Sequence, residues 1–203
     1  MRAAPWAAAI GACLLASWGS AGAQEIRITG PLAGAPAGPR VRFGRHDASF
    51  WLGLGGSPAP EELAGPWTGL GAQVTFGALR VGRGSELRWG PWGQMWMDGV
   101  GGRAEGGLLA QLFRRWEDEE RHGVLDLRIG GGGGKSAAGD APHLSLTIAG
   151  GPRYFEGPGA RGEDAPSLVV GWRLFLSGRR TIEQDARTWV SGGLELELGF
   201  EDD

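Results

Sequence analysis

The sequence predicts an all-β chain, an antiparallel up-and-down β-barrel of about eight strands, and three observations carry that reading. Apolar residues recur at every second position in five separate segments, the spacing of a strand with one apolar face. Stretches rich in Gly, Pro, Ser and Asp separate the segments, as hairpin connections require. Helical apolar spacing is hard to find anywhere in the 203 residues.

Taken along the chain, Ala48 to Gly55 places Phe50, Leu52 and Leu54 on one face. Leu70, Ala72, Val74 and Phe76 then oppose Gly71, Gln73 and Thr75. Leu87 to Val100 and Ala104 to Trp116 are less regular. Pro91 predicts a bend or an edge-like break in the first of these, because proline cannot donate to a ladder. Leu125, Leu127 and Ile129 oppose Asp126 and Arg128, and Leu144, Leu146 and Ile148 oppose His143, Ser145 and Thr147. Leu168, Val170, Trp172, Leu174 and Leu176 alternate with Val169, Gly171, Arg173, Phe175 and Ser177. The last run sets Leu194, Leu196, Leu198 and Phe200 against Gly193, Glu195, Glu197 and Gly199. Ser57 to Pro66, Gly131 to Pro142, Glu156 to Pro166 and Gly178 to Arg187 read as the connections. With no crossover helix between strands, a meander is the simplest topology.

The ends set the boundaries. Arg2, the apolar stretch Ala3 to Ala16 and the small residues Ala21-Gly22-Ala23 have the order of a secretory signal peptide cleaved after Ala23. That stretch is too short to span a bilayer, which takes about 20 apolar residues. Cys13 lies inside the apolar stretch, which argues against a lipidated N-terminus, and no other cysteine is present. The division is therefore 1–23 signal peptide, 24–47 flexible lead-in, 48–200 barrel and 201–203 acidic tail. Short alternations at Ile26/Ile28 and Val41/Phe43 leave an additional strand as the alternative for the lead-in.

Loss of Arg2 changes 20 Lys+Arg to 19 against 23 Asp+Glu, a net charge of −4. A mildly acidic chain without a basic stripe does not suit nucleic acid. Glycine reaches 40 residues, yet Lys135 is the only lysine and asparagine is absent. That bias suggests GC-rich coding, so glycine content alone is discounted.

Alternation does not say which face is outside. A soluble barrel turns its apolar face inward, whereas a membrane barrel turns it to lipid and fills the lumen with small and polar residues. The non-apolar face here carries Gly, Ser, Thr and Gln with the charges Asp126, Arg128, Arg173, Glu195 and Glu197, which suits a narrow lumen closed by ion pairs. Parity and hairpin adjacency place Arg173 inside beside Glu195 or Glu197, with Arg179 in the following loop. The tryptophans at 51, 67, 89, 92, 96, 116, 172 and 189, several near predicted strand ends, suggest aromatic girdles at the lipid boundary.

With its signal peptide, repeated alternation and final Leu194-x-Leu196-x-Leu198-x-Phe200, the chain resembles the small outer-membrane barrels of the OmpA-like and OmpX-like class. The resemblance implies that Phe200 is the terminal aromatic read by the barrel-assembly machinery. Glu201-Asp202-Asp203 depart from that pattern, since the class usually stops at the aromatic residue.

The candidate chemical motifs are thin. Gly130 to Gly134 with Lys135-Ser136 imitates a phosphate loop, but the motif's first glycine falls on Ile129, and a surface loop is the plainer reading. Glu117-Asp118-Glu119-Glu120 reads as a solvated acidic turn rather than a cation site. His143 and Ser145 share one face, with spacing similar to the His-x-Ser-Asn of outer-membrane lipid A deacylases, although Leu146 replaces the asparagine. Glu156 or Glu163 would be the acidic orienter. His46 and His122 stand isolated.

The expectation is thus an outer-membrane barrel with a non-enzymatic structural, surface-interaction or envelope role. Its expected partners are outer-membrane lipid and the assembly machinery, with no cofactor, metal, nucleotide or nucleic acid, and a monomer is expected. The alternatives are a soluble periplasmic barrel binding an apolar ligand and a lipid-modifying barrel hydrolase.

Overall fold

The computed structural model describes residues 25–26, 41–57, 66–82, 85–115, 121–135, 139–156, 167–183 and 185–202. The signal-peptide stretch, Trp116 and Glu117 to Glu120 lie outside them, as do Ser136 and Glu163.

Eight long strands follow a two-residue one: β1 (Glu25–Ile26), β2 (Val41–Gly56), β3 (Trp67–Gly82), β4 (Ser85–Met97), β5 (Gly102–Arg115), β6 (Arg121–Gly134), β7 (His143–Glu156), β8 (Ser167–Thr181) and β9 (Thr188–Asp202). Each pairs antiparallel with the next, and β2 pairs with β9 from His46↔Asp202 to Gly56↔Gly192. That last ladder closes β2–β9 into an eight-stranded up-and-down barrel, which removes the open sheet edges that a bilayer cannot tolerate.

The strands overrun the expected boundaries. β2 begins at Val41, upstream of Ala48, and Glu25–Ile26 pair with Arg42 and Val41, so part of the expected lead-in joins the wall. Gly131 to Gly134 continue β6, and Gly178 to Thr181 continue β8, where connections were expected. Glu201 and Asp202 extend β9 instead of forming a tail. Pro91 does not break β4: its ladder to β5 runs unbroken, while the β3 partners skip Val74 and Thr75 opposite it. Pro152 of β7 sits at a similar gap on its β8 side. In both strands the gap lies where the missing amide has nothing to donate.

The burial alternation settles which face is outside. Leu144, Leu146 and Ile148 of β7 are exposed while His143, Ser145 and Thr147 are buried, and β8 repeats the pattern, with Leu174 61% exposed beside a fully buried Arg173. Away from the strand ends, where Thr68, Arg114, Glu156, Arg180 and Thr188 are exposed, the exposed set is apolar, so the fold is a closed, inside-out barrel with a polar lumen and an apolar outer surface. From Leu144 to Tyr154 the outer face of β7 spans ten residue steps, roughly 25 Å along the axis at about 3.3 Å per residue and a tilt of about 40°. That matches the apolar height of a bilayer-spanning barrel.

Tryptophan placement corrects the girdle reading. Trp51, Trp67, Trp92, Trp96 and Trp189 are buried inside the barrel, and Trp172 is exposed on its outer face. Glycines make room for these indoles. A Cβ on Gly71 would meet the Trp51 ring at 2.2 Å, one on Gly55 the Trp67 ring at 2.6 Å and one on Gly130 the Trp92 ring at 2.9 Å. Glycine here is a packing requirement, not only a coding bias. Gly71→Ala should therefore displace Trp51 and cost about 1–3 kcal/mol by overpacking, whereas Gly178→Ala, with open space at its Cβ, should be near neutral. Urea unfolding midpoints of the two variants in the same detergent check the contrast.

Candidate functional site

The barrel interior is the candidate site, because every buried charge of the described residues points there. It holds six arginines (Arg88, Arg103, Arg128, Arg153, Arg173, Arg179) and six carboxylates (Asp47, Glu105, Asp126, Glu195, Glu197, Glu201). The numbers balance, as they must where an unpaired charge would be removed from water without compensation.

The five charges singled out in the sequence form the middle of this set. Arg128 donates from Nη1 and Nη2 to the two carboxylate oxygens of Glu195, at 2.7 and 2.8 Å, and from Nη2 to Asp126 at 3.2 Å. Arg173 faces Glu195 in register; its Nε lies 3.3 Å from Glu195 Oε2, its Nη1 donates to Asp126, and Glu197 is 3.8 Å away. The indole of Trp51 lies under both guanidinium groups, 4.3 Å from Arg128 Cζ and 5.2 Å from Arg173 Cζ, so the faces that make no hydrogen bonds pack on an aromatic ring.

Toward the end of the barrel that carries Val41 and Asp202, the network continues through residues that sequence reasoning missed. Arg153 donates to Asp47 and to both oxygens of Glu197. Arg88 reaches Glu201 at 2.7 Å and Glu86 at 3.3 Å, with its guanidinium 4.1 Å over the Phe113 ring. His122 is buried between Phe113 and Phe155, at 4.5 and 4.3 Å between ring centroids, in an aromatic layer at that end.

At the opposite end Glu105 is the hub. It accepts from Arg179 Nε at 3.1 Å and Nη2 at 2.6 Å, accepts from Gln94 and lies 2.8 Å from His143 Nε2. Arg179 is therefore buried in β8 and not a loop residue, because that strand runs past Gly178 to Thr181. Glu105 takes the position beside His143 that Glu156 or Glu163 was expected to hold; Glu156 is exposed at the far end of β7, and Glu163 lies outside the described residues. The signal for Glu105 was faint, since β5 also sends Leu109 and Phe113 inward and so blurs the alternation.

Ser145 is buried on the same face as His143, and its Oγ has no hydrogen-bond partner; His143 Nδ1 likewise has none. Phe200 is exposed on the outer face of β9, followed by the buried Glu201. The glycine run ending at Lys135 is strand as far as Gly134 and opens no helix, so it is not a phosphate loop. Among the described residues no group of three or more His, Cys, Asp or Glu side chains could hold a metal ion.

No family model matches the chain, and no curated protein matches it. Among solved structures the chain is similar to Neisserial surface protein A, with 12% identity over 78% of this chain and 95% of that one and a TM-score of 0.43. It is also similar to the outer membrane enzyme PagL, with 13% identity over 74% of this chain and 97% of that one and a TM-score of 0.45.

Because Arg173 binds carboxylates from two other strands, Arg173→Ala should strand a buried negative charge and cost about 3–5 kcal/mol. Arg180→Ala, on the exposed face of the same strand, should stay within about 0.5 kcal/mol. Equilibrium unfolding of both variants from lipid or detergent measures the difference.

Proposed function

We propose that the chain is an outer-membrane barrel with a non-enzymatic, structural or surface-interaction role, acting as a monomer. The observation that supports this best is the inversion of burial: charged residues fill the inside while leucines, valines and phenylalanines cover the outside. A soluble barrel holding an apolar ligand would reverse both faces. The interior is crossed by arginine–carboxylate contacts between opposite walls, which suits a filled barrel better than a channel. Outer-membrane lipid is then the partner of the apolar belt, and Phe200, outward near the end of β9, is the residue offered to the assembly machinery.

One observation favours a second reading, a barrel hydrolase: His143 Nε2 lies 2.8 Å from Glu105, and Ser145 Oγ is unbonded on the same face, the order of acid, base and nucleophile. Against it, both residues face the interior and not lipid, and Glu105 is already held by Arg179 and Gln94.

The folded protein should resist carbonate or urea extraction and migrate differently before and after boiling in detergent. Leu174→Arg, in the middle of the outer face of β8, should weaken insertion by about 2–4 kcal/mol; release of the native chain by carbonate alone would contradict membrane insertion. Purified protein should leave lipid esters intact, and hydrolysis that disappears in Ser145→Ala would establish the second reading instead.

A further inference from the structure

Arg103 stands apart from the other buried arginines. The other five each lie within ion-pair distance of at least one carboxylate, whereas Arg103, 2% exposed, has none among the described residues. Its Nη2 donates to the Ala141 carbonyl, and its Nε and Nη1 have no hydrogen-bond partner. A buried guanidinium without a counter-charge is costly to retain, and a bound anion is the ordinary compensation.

Its surroundings carry further polar atoms without partners. The guanidinium carbon lies 5.6 Å from the centre of the Trp189 ring, and the His143 ring lies 5.6 Å from the same indole. His143 Nδ1, Ser145 Oγ and Trp96 Nε1 are buried polar atoms without partners on the strands facing this end. Trp96 is the register partner of Arg103, and Ser145 is the partner of Arg179, which is in turn the partner of Trp189. Glu105, the one carboxylate buried here, is already shared by Arg179, His143 and Gln94. At the rim, Asp98 Oδ1 accepts from the amides of its own turn, Val100 and Gly101, and Asp140 is exposed on the β6–β7 connection. The inner charge is therefore uneven along the axis. Arg103 and Arg179 exceed Glu105 at this end, while over the rest of the lumen Asp47, Asp126, Glu195, Glu197 and Glu201 exceed Arg88, Arg128, Arg153 and Arg173.

The geometry points to an oxyanion-binding site at the mouth of the barrel between β4, β5, β7 and β9, with Arg103 as its charged anchor and Ser145 and Trp96 as neutral donors. A phosphoryl group suits it best, since its several oxygens accept from guanidinium and neutral donors together. The group can come from free phosphate or from a phosphorylated lipid headgroup, and the test separates these sources.

The full barrel, purified in detergent and shown to migrate anomalously before boiling, is titrated with inorganic phosphate against chloride at equal ionic strength. Phosphorus-31 line broadening and the rise in unfolding temperature are followed. A second titration uses short-chain phosphatidic acid. Saturable binding is expected, weakened about tenfold or more in Arg103→Gln, as loss of a charge-assisted contact implies, and unchanged in Arg114→Gln, whose side chain is exposed on the opposite face of β5. Arg103-dependent binding of phosphatidic acid without inorganic phosphate would assign the site to a lipid headgroup; binding of both assigns it to the oxyanion itself. If Arg103→Gln does not fold, Arg103→Lys, which keeps the charge and loses the Nε donor, should still bind several-fold more weakly. Titrations indistinguishable from wild type in the folded Arg103 variant, or no saturable binding of either probe to the native barrel, would overturn the assignment. Anomalous migration is read on every sample, so failure of the site is distinguished from failure of the barrel.

Discussion

The constraint on which this structure depends is that a narrow lumen walled by eight strands must be filled with charge that cancels. With the leucine face turned outward, the inside is left to aromatic rings and to the polar face, whose charges must satisfy one another away from bulk water. Six arginines and six carboxylates balance in number, and among the described residues every one of the arginines but Arg103 lies within ion-pair distance of a carboxylate. Many of the pairs join strands that are not neighbours: Arg128 of β6 reaches Glu195 of β9, Arg153 of β7 reaches Asp47 of β2, and Arg88 of β4 reaches Glu201 of β9. The ladders join each strand to the next, and these contacts tie opposite walls, so cross-section and register are specified by different interactions.

The tryptophans and glycines are a second expression of the same narrowness. An indole laid across the lumen needs a place on the wall without a side chain, and Gly71, Gly55 and Gly130 provide one for Trp51, Trp67 and Trp92. The Trp92 indole also donates to the Leu108 carbonyl at 3.1 Å, so a large apolar group is held by a directional bond. Arginine planes then lie over Trp51, which couples the indole layer to the ion network.

The parity of the strands was legible because it is a local property of period two. Arg173, Glu195 and Glu197 fall on one face whatever the rest of the chain does, and the β8–β9 hairpin brings them together. The same parity already put Trp51 opposite Phe50, Leu52 and Leu54, yet the pull of the girdle pattern led to the wrong face. Gly130 to Gly134 offer no alternation to read, so their place in β6 follows from their partners, Arg103 to Gly107 on β5 and His143 to Ser145 on β7. Glu105, Arg153 and Asp47 could not be assigned partners, because contacts across a barrel depend on the stagger of all eight strands. Arg179 was hidden by the glycine before it, which reads as the start of a turn when the chain is taken alone.

The most direct measurement of the inverted barrel is a nitroxide scan of β9 in lipid bilayers. Single cysteines replace Leu194, Glu195, Leu196, Glu197 and Leu198 in turn in a Cys13→Ala background, and collision with oxygen, which concentrates in the bilayer, is compared at each position. The account predicts high oxygen accessibility at 194, 196 and 198 and low accessibility at 195 and 197, a period of two in phase with the leucines. The opposite phase, or a flat profile across the five positions, would contradict a barrel that turns its leucines to lipid and its carboxylates inward.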